Sequence, residues 1–238
     1  MQLDGILILN PRDFTERRAS IERQLKSLGL AYEFIHEFDI ADITPALEQR
    51  YFYLSAMRQG QKSCALKHRH AHALIAQRGW RCGLILEDDV VLAPDFLDGL
   101  QAALREGAAL PEPKVIFIGS GGNFYTPRSQ RLPGKRLYAA SKGRFGDSYL
   151  IGHETARLRL DWIDANGIGQ PTDNLFDRID PLLGISMLWL EDPVVEQGSK
   201  NGLFASELET APPRPVQRLK FALEKLRRKY LYQMWPWA

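Results

Sequence analysis

The sequence contains little cysteine and no long hydrophobic run. Its 238 residues include only two cysteines, Cys64 and Cys82, which are too few for a disulfide framework and are not spaced as a CxxC metal motif. No apolar stretch approaches the roughly 20 residues of a membrane-spanning helix, and the N-terminus lacks the basic region of a signal peptide. We therefore expect a protein of a reducing compartment, either cytoplasmic or peripheral on the cytoplasmic face of a membrane.

Net charge is also small, except at one end of the chain. The formal charge is +2 at pH 7, so the composition gives no sign of a nucleic-acid partner and none is expected. Residues 214–238, in contrast, contain seven lysines and arginines against Glu224 alone, with apolar residues on one predicted helical face. Such a segment is typical of a helix in an anionic membrane interface, although a helix packed on the domain would also explain it. We therefore divide the chain into a domain at 1–210 and a basic amphipathic helical tail at 211–238.

The hydrophobic pattern of the first half alternates between strands and helices. Apolar runs predict strands, and stripes with helical spacing predict helices. The predicted strands are 5–10, 32–38, 84–86 and 114–118, and the predicted helices are 15–28, 63–78 and 94–105. A helix at 45–57 is less regular, because three consecutive aromatic residues disturb its period. This alternation predicts an α/β fold with a mostly parallel sheet flanked by helices.

The second half contains further predicted strands and helices after a long loop. Residues 119–134 are rich in glycine and proline but do not match a phosphate-binding fingerprint, so we interpret them as a functional loop or lid. A strand at 147–152 and a helix from 153 to about 164 follow. The pattern then predicts a helix at 174–183 and short strands at 186–190 and 193–197.

Three consecutive acids follow the most apolar strand. The stretch LILEDDVVL places Glu87, Asp88 and Asp89 where a buried strand leaves the sheet. Ligands of open α/β sheets bind at the carboxyl ends of the strands, and adjacent carboxylates repel one another unless a counter-charge is present. An acidic turn that faces water is one interpretation. The apolar residues on both sides favour the other, a site for Mg²⁺ or Mn²⁺.

Three sequence blocks resemble glycosyltransferase family 25, the lipopolysaccharide and lipooligosaccharide glycosyltransferases. The blocks are ILNPRDFTERR, SCALKHRHAHALI and LILEDDVVLAPDF, and together they span about residues 6–96. The third is the most specific. Weaker similarity continues in GDSYLIGHETARL and PTDNL, and none is visible past residue 200.

The resemblance implies a GT-A-like (Rossmann-like) fold and an inverting, metal-dependent sugar transfer. The implied donor is a UDP-sugar, with galactose favoured, and the implied acceptor is a lipopolysaccharide, lipooligosaccharide or related glycan or glycolipid. Glu87 and Asp89 would be the two ends of a DxD-type motif that holds Mn²⁺ or Mg²⁺, with Asp88 on the ribose or the metal. Such an enzyme would work at the cytoplasmic face of the inner membrane.

Further donor-side residues come from the first two blocks. Asn10, Arg17 and Arg18 match the first block, where an arginine would contact the nucleotide base or a phosphate, or would simply be a surface residue. Asp39 ends the second strand and is assigned to the donor side, although it lacks the glycine that usually follows. His68 matches the histidine of the second block, and we favour a buried, hydrogen-bonded role for it over metal ligation.

Inversion requires a base opposite the leaving group. Asp173, in the block PTDNL, is the first candidate, and Asp147 is the second. An aspartate that caps a helix explains Asp173 equally well. The chain departs from the family pattern at Lys67 and Ser63, where serine and glycine are usual.

Two other classes of function fit the same residues. One is a catalytically inactive module that binds a sugar nucleotide or a glycan. The other is a metal-dependent phosphohydrolase or nucleotidyltransferase that uses the same acidic strand end.

Overall fold

The computed structural model describes residues 1–53, 55–198 and 223. The boundary at residue 210 and the tail at 211–238, apart from Leu223, lie outside the described residues, so the predicted membrane association of the tail stays a prediction. Within the part that is described, no helix combines the length and apolar character needed to cross a bilayer.

The first half contains the predicted strands and helices, together with one further short strand at 90–92 that the pattern did not reveal. Its elements are β1 (Gly5–Leu9), α1 (Thr15–Ser27), β2 (Glu33–Ile35), α2 (Pro45–Tyr51), α3 (Gln59–Arg78), β3 (Gly83–Glu87), β4 (Val90–Leu92), α4 (Phe96–Ala108) and β5 (Lys114–Phe117). Gly79 ends α3 in the left-handed conformation, with φ of 63°, as its position predicted. Thr15 is the first helical residue of α1 and not its N-cap, which is Phe14.

The second half contains one strand that the pattern did not reveal. Its elements are β6 (Leu137–Ala139), β7 (Ser148–Ile151), α5 (His153–Asn166), α6 (Thr172–Leu182), β8 (Ser186–Leu190) and β9 (Val195–Gln197). The long loop before β6 contains only two short 3₁₀ turns, at 121–123 and 128–130. β6 was missed because three residues are too few to establish an alternation.

In the described residues, the main sheet has the strand order β2-β1-β3-β7-β5-β8-β6. The pairs β1–β2, β1–β3 and β5–β8 are parallel, whereas β7 is antiparallel to both of its neighbours and β6 is antiparallel to β8. Five strands therefore share one direction, which confirms the predicted mostly parallel sheet. Because β7 runs the opposite way, its first residue lies at the same edge as the last residues of β1 and β3.

The sheet is buried on both faces. Leu7 and Ile85 point to the side packed by α3, α5 and α6, whereas Ile8 and Leu86 point to the side packed by α1 and α4. All four side chains are fully buried. This double burial explains why β1 and β3 are almost continuously apolar, and it confirms that helices flank the sheet. The short strands β4 and β9 form a separate antiparallel pair.

Candidate functional site

Several of the predicted site residues lie at one edge of the main sheet. Asn10 follows β1, Glu87 ends β3, and Asp147 directly precedes the antiparallel strand β7. The amide of Glu87 donates a hydrogen bond of 2.9 Å to the carbonyl of Asp147. Asp173 lies in the first turn of α6, which packs on the same side as α3. Strand direction and the packing of α6 therefore bring together acids that are up to 86 positions apart in the sequence, since 173 − 87 = 86.

We use the term acidic centre for four acids at this edge: Glu87, Asp89, Asp147 and Asp173. Burial and then the charge of Asp89 raise the pKa of Glu87 to about 8. Burial raises the pKa of Asp147 well above its ordinary value, and Glu87, Asp89 and Asp173 raise it further. Burial and then Glu87 raise the pKa of Asp173 to about 6. Neighbouring like charges disfavour simultaneous ionisation, which is the direction of each of these shifts.

Asp88 makes different contacts from its two acidic neighbours. Its Oδ2 accepts a 2.7 Å hydrogen bond from Nδ2 of the fully buried Asn10, and Arg17 Nη1 lies 3.4 Å from its Oδ1. Burial raises the pKa of Asp88 to about 7, although Arg17 acts in the opposite direction. Three residues predicted for the donor side, Asn10, Arg17 and Asp88, are therefore in direct contact.

Two other predicted donor-side residues are not part of this contact. Among the described residues, no hydrogen bond or ion pair joins the side chain of Arg18 to the acids, because consecutive helical residues project about 100° apart. Asp39 Oδ1 is 2.8 Å from Lys67 Nζ, and Asp39 Oδ2 is 3.1 Å from Arg12 Nη1. Lys67, which departs from the family pattern, is thus the ion-pair partner of Asp39. A donor-side role for Arg18 and Asp39 stays a prediction.

His68 lies on α3 beside the acidic centre. Its Nδ1 is 2.9 Å from the hydroxyl of Tyr149, and its Nε2 is 3.4 Å from Oε1 of Glu87. His72 Nε2 lies 2.9 Å from the same Tyr149 hydroxyl. Burial lowers the pKa of His68 to about 4, so its ring is neutral near pH 7. The sequence suggested a buried, hydrogen-bonded histidine, but nothing in it indicated that Tyr149 would link the two rings.

Close packing at the acidic centre depends on glycine. The amide of Gly146 donates a 2.5 Å hydrogen bond to Oδ1 of Asp173. A Cβ added at Gly146 would lie 3.1 Å from that oxygen and 3.2 Å from Cε1 of His68. A Cβ at Gly119, after β5, would overlap the carboxylate of Asp147. Sequence reasoning missed both glycines, because their importance comes from distant neighbours.

Gln197 is a further residue that the sequence did not single out. Its Nε2 is 3.5 Å from Oε2 of Glu87, and its buried Oε1 has no hydrogen-bond partner among the described residues. The next amide, of Gly198, donates a 2.7 Å hydrogen bond to the carbonyl of Asp89. Pairing of β4 with β9 creates this contact, and a strand pairing over 100 residues cannot be inferred from either segment alone.

The acidic centre has the donor set of a divalent cation site. Asp89 Oδ1 and Asp147 Oδ2 are buried and have no hydrogen-bond partner within the described ranges. Burying an ionised oxygen without a partner is costly, and a cation would offset that cost. Carboxylate oxygens are the ligands that Mg²⁺ and Mn²⁺ prefer. The oxygen donors match the chemistry of the expected ion, but no three of these four acids have ligand atoms within 4.8 Å of one another in the described residues. Glu87 and Asp89 therefore stay the ligands predicted from the sequence.

In open α/β sheets, ligands bind at the carboxyl ends of the strands, which is the edge where these acidic side chains lie. The sequence model described as "Glycosyltransferase family 25 (LPS biosynthesis protein)" matches residues 4–122, which is half of the chain. The chain therefore belongs to glycosyltransferase family 25, and the resemblance noted in the sequence blocks is confirmed.

Individual relatives are distant. A "Glycosyltransferase 25 family member" of Drosophila melanogaster is 24% identical over 131 residues, which are 50% of this chain and 21% of that protein. The protein of the same description from Drosophila pseudoobscura pseudoobscura is 26% identical over 131 residues, with 50% of this chain and 21% of that protein covered. The chain thus spans about a fifth of the length of these curated relatives. A solved glycosyltransferase involved in glycosylation of the major capsid of PBCV-1 is 11% identical, with 92% of this chain and 99% of that chain covered and a TM-score of 0.41.

Proposed function

We propose that the chain is an inverting, metal-assisted glycosyltransferase. It transfers a hexose, with galactose favoured, from a UDP-sugar to a hydroxyl of a lipopolysaccharide, lipooligosaccharide or related glycan. The observation that carries the proposal is the acidic centre, where carboxylates from β3, the start of β7 and the start of α6 meet. A donor that carries a diphosphate requires a cation site. An acceptor hydroxyl that must lose a proton requires a base. The acidic centre supplies residues for both.

The donor side is formed by Glu87, Asp89 and the contact of Asp88 with Asn10 and Arg17. Glu87 and Asp89 would hold a Mn²⁺ or Mg²⁺ ion, which supplies positive charge against the diphosphate leaving group when bound. Asp88 can accept hydrogen bonds from ribose hydroxyls while Asn10 fixes its orientation at 2.7 Å. The guanidinium of Arg17 adds a fixed positive charge near the diphosphate.

Asp173 is the better of the two candidate bases. It is partly exposed, and the amide of Gly146 holds one of its carboxylate oxygens. Asp147 is only 1% exposed, and Oγ of Ser148 donates a 2.7 Å hydrogen bond to its Oδ1. An acceptor hydroxyl can therefore reach Asp173 more readily. Because burial raises the pKa of Asp173 to about 6, its carboxylate is both ionised at neutral pH and basic enough to take the acceptor proton.

The experiment is an assay of UDP release from a panel of UDP-sugars. Each donor is incubated with the full chain, with or without a lipooligosaccharide acceptor, in Mn²⁺ or in EDTA. We expect release that requires the acceptor, requires the metal and is fastest with one donor. Asp98→Asn, an exposed acid on α4, serves as a matched control and should be as active as the unchanged chain.

Other outcomes would support the competing functions. UDP release that is equally fast without an acceptor would indicate a phosphohydrolase. Metal-dependent binding of a UDP-sugar without turnover on any acceptor would indicate a binding module. If the folded protein binds no nucleotide sugar at all, the proposal is wrong.

A further inference from the structure

Cys64, His68 and Glu87 bring three different ligand types together beside the acidic centre. Cys64 and His68 are four residues apart on α3, so their side chains project from one face of the helix. Cys64 Sγ is 3.8 Å from Oε1 of Glu87, His68 Nε2 is 3.4 Å from the same oxygen, and the three ligand atoms all lie within 4.8 Å of one another. A thiol, an imidazole and a carboxylate thus face a common point.

These separations are close to those of a tetrahedral zinc site. Bonds of about 2.3 Å to sulfur and about 2.0 Å to nitrogen and oxygen place neighbouring ligand atoms roughly 3.3–3.5 Å apart. Small side-chain movements would therefore be enough to close the triad around an ion. Three protein ligands would leave the fourth position to water or another ligand, as in open zinc sites.

The histidine is oriented as a metal ligand should be. In metal sites, the imidazole nitrogen away from the ion donates a hydrogen bond that fixes the ring. Here His68 Nδ1 lies 2.9 Å from the Tyr149 hydroxyl, which also lies 2.9 Å from His72 Nε2. If Nδ1 of His68 donates to Tyr149 and Tyr149 donates to His72, then Nε2 of His68 has a free lone pair directed towards Glu87.

We propose that Cys64, His68 and Glu87 form a binding site for a borderline-soft divalent cation such as Zn²⁺. It shares Glu87 with the all-oxygen site expected for Mn²⁺ or Mg²⁺ but differs from that site in its other ligands. Thiolate and imidazole ligands favour Zn²⁺, whereas carboxylates favour the harder ions. Cys64 and Glu87 are partly exposed, whereas His68 is buried. Binding releases the thiol proton of Cys64, and the proton of Glu87 where that carboxyl is protonated, to solvent.

The shared residue Glu87 gives this site a regulatory consequence. A carboxylate that ligates Zn²⁺ beside Cys64 is withdrawn from the acidic centre, where the proposed function requires it. Zn²⁺ should therefore inhibit Mn²⁺-dependent transfer. This consequence depends on the proposed function, whereas binding of the ion does not.

Binding is tested with Co²⁺ as a spectroscopic probe of the full chain. A cobalt–thiolate bond gives a charge-transfer absorption band, and the sequence offers only Cys64 and Cys82 as its source. We expect a band that saturates at one equivalent of Co²⁺ and disappears when Zn²⁺ is added. Cys64→Ser should abolish it, whereas Cys82→Ala, the matched control, should leave it unchanged.

A second variant tests the orientation of the histidine. Tyr149→Phe keeps all three ligands and removes only the hydroxyl, and we expect roughly 10–100-fold weaker Co²⁺ binding. Circular dichroism checks that each variant is folded. The absence of a band in the unchanged chain, or its persistence in Cys64→Ser, would overturn the proposal.

The assays separate this site from the proposed function. A cobalt band that depends on Cys64, together with no sugar transfer, would leave the metal site standing and remove the transferase. Sugar transfer without the band would do the reverse. If both are present and Zn²⁺ does not inhibit transfer, the regulatory consequence is wrong.

Discussion

Two groups of buried charged side chains differ in their balance of positive and negative charge. Arg159 on α5 and Asp180 on α6 are both fully buried and form a bidentate pair, with distances of 2.9 and 2.6 Å. The guanidinium of Arg159 also lies 3.8 Å from the ring centroid of Phe176. This pair has equal positive and negative charge. The acidic centre, in contrast, gathers four carboxylates, two of which have buried oxygens without a hydrogen-bond partner in the described chain.

The difference separates stability from function. A pair of balanced charge needs no ion to neutralise it, although Nη1 of Arg159 also has no hydrogen-bond partner in the described residues. Removing one partner leaves a buried charge without compensation. In the acidic centre, like charges disfavour simultaneous ionisation, so removing one acid relieves repulsion. Under the proposed function, a cation would supply the missing positive charge. We therefore expect changes at the pair to unfold the protein and changes at the acidic centre to inactivate it. Four measurements test this contrast, in order of decreasing effect.

Asp180→Asn should cause the largest loss of stability. The substitution leaves Arg159 buried without its charge partner, and breaking such a pair costs about 3–5 kcal/mol. Urea unfolding followed by circular dichroism measures the free energy of unfolding. Asp164→Asn is the matched control, because Asp164 pairs with Arg69 at 2.7 Å at a more exposed position, where such pairs contribute about 0–1 kcal/mol. Equal losses in the two variants would contradict the contrast.

Asp173→Asn should reduce sugar transfer by about 10²–10⁴-fold, the usual contribution of a general base. Donor binding should persist, because the base acts on the acceptor. The unchanged chain should gain activity as the pH rises through about 6, since the pKa of Asp173 is raised to about 6 and only its ionised form accepts a proton. A bound cation would shift this rise in activity to a lower pH. The Asp173→Asn variant should not show the rise.

The matched control for this variant is Asp161→Asn, an exposed acid on α5. It should retain full activity and the same pH profile. If Asp173→Asn transfers sugar normally while Asp147→Asn does not, the base is Asp147.

Asp89→Asn should reduce transfer by about 10²–10³-fold, because it removes a proposed ligand of the ion that stabilises the leaving group. Its free energy of unfolding in EDTA should be equal to or higher than that of the unchanged chain, since repulsion at Glu87 decreases. Asp98→Asn again serves as the control for both measurements. A large loss of stability in Asp89→Asn would mean that the acidic centre is as structural as the Arg159–Asp180 pair.

Sequence reasoning worked where the determinant was local. The apolar runs of β1 and β3, the three acids after β3 and the glycine after α3 were each visible within a few residues, and the fold class followed from their alternation. It failed where contacts join distant segments. The pairing of Gln197 with Glu87, the link of Tyr149 to two histidines and the ion pair of Lys67 with Asp39 depend on tertiary packing and leave no periodic signal.

The balanced pair and the acidic centre should also differ in how stability responds to pH. Burial raises the pKa of Asp88 to about 7, and burial with Asp89 raises the pKa of Glu87 to about 8. Both values exceed those of the unfolded chain, so the folded protein binds more protons between about pH 4.5 and 8. The stability that this gives is present at low pH and is lost as the pH rises through these values. His68 acts in the opposite direction, because its pKa is lowered to about 4, but only below pH 6.5.

In EDTA, the free energy of unfolding should therefore fall by about 2 kcal/mol between pH 6.5 and 8, of which Asp88 accounts for about 1 kcal/mol and Glu87 for the rest. Urea unfolding at the two pH values measures the change. Asp88→Asn removes one titrating group next to the acidic centre and should flatten the slope, whereas Asp98→Asn should not. An unchanged slope in Asp88→Asn would show that the charge imbalance at this edge of the sheet does not govern the stability of the free protein, and the contrast with the closed pair would then apply to catalysis alone.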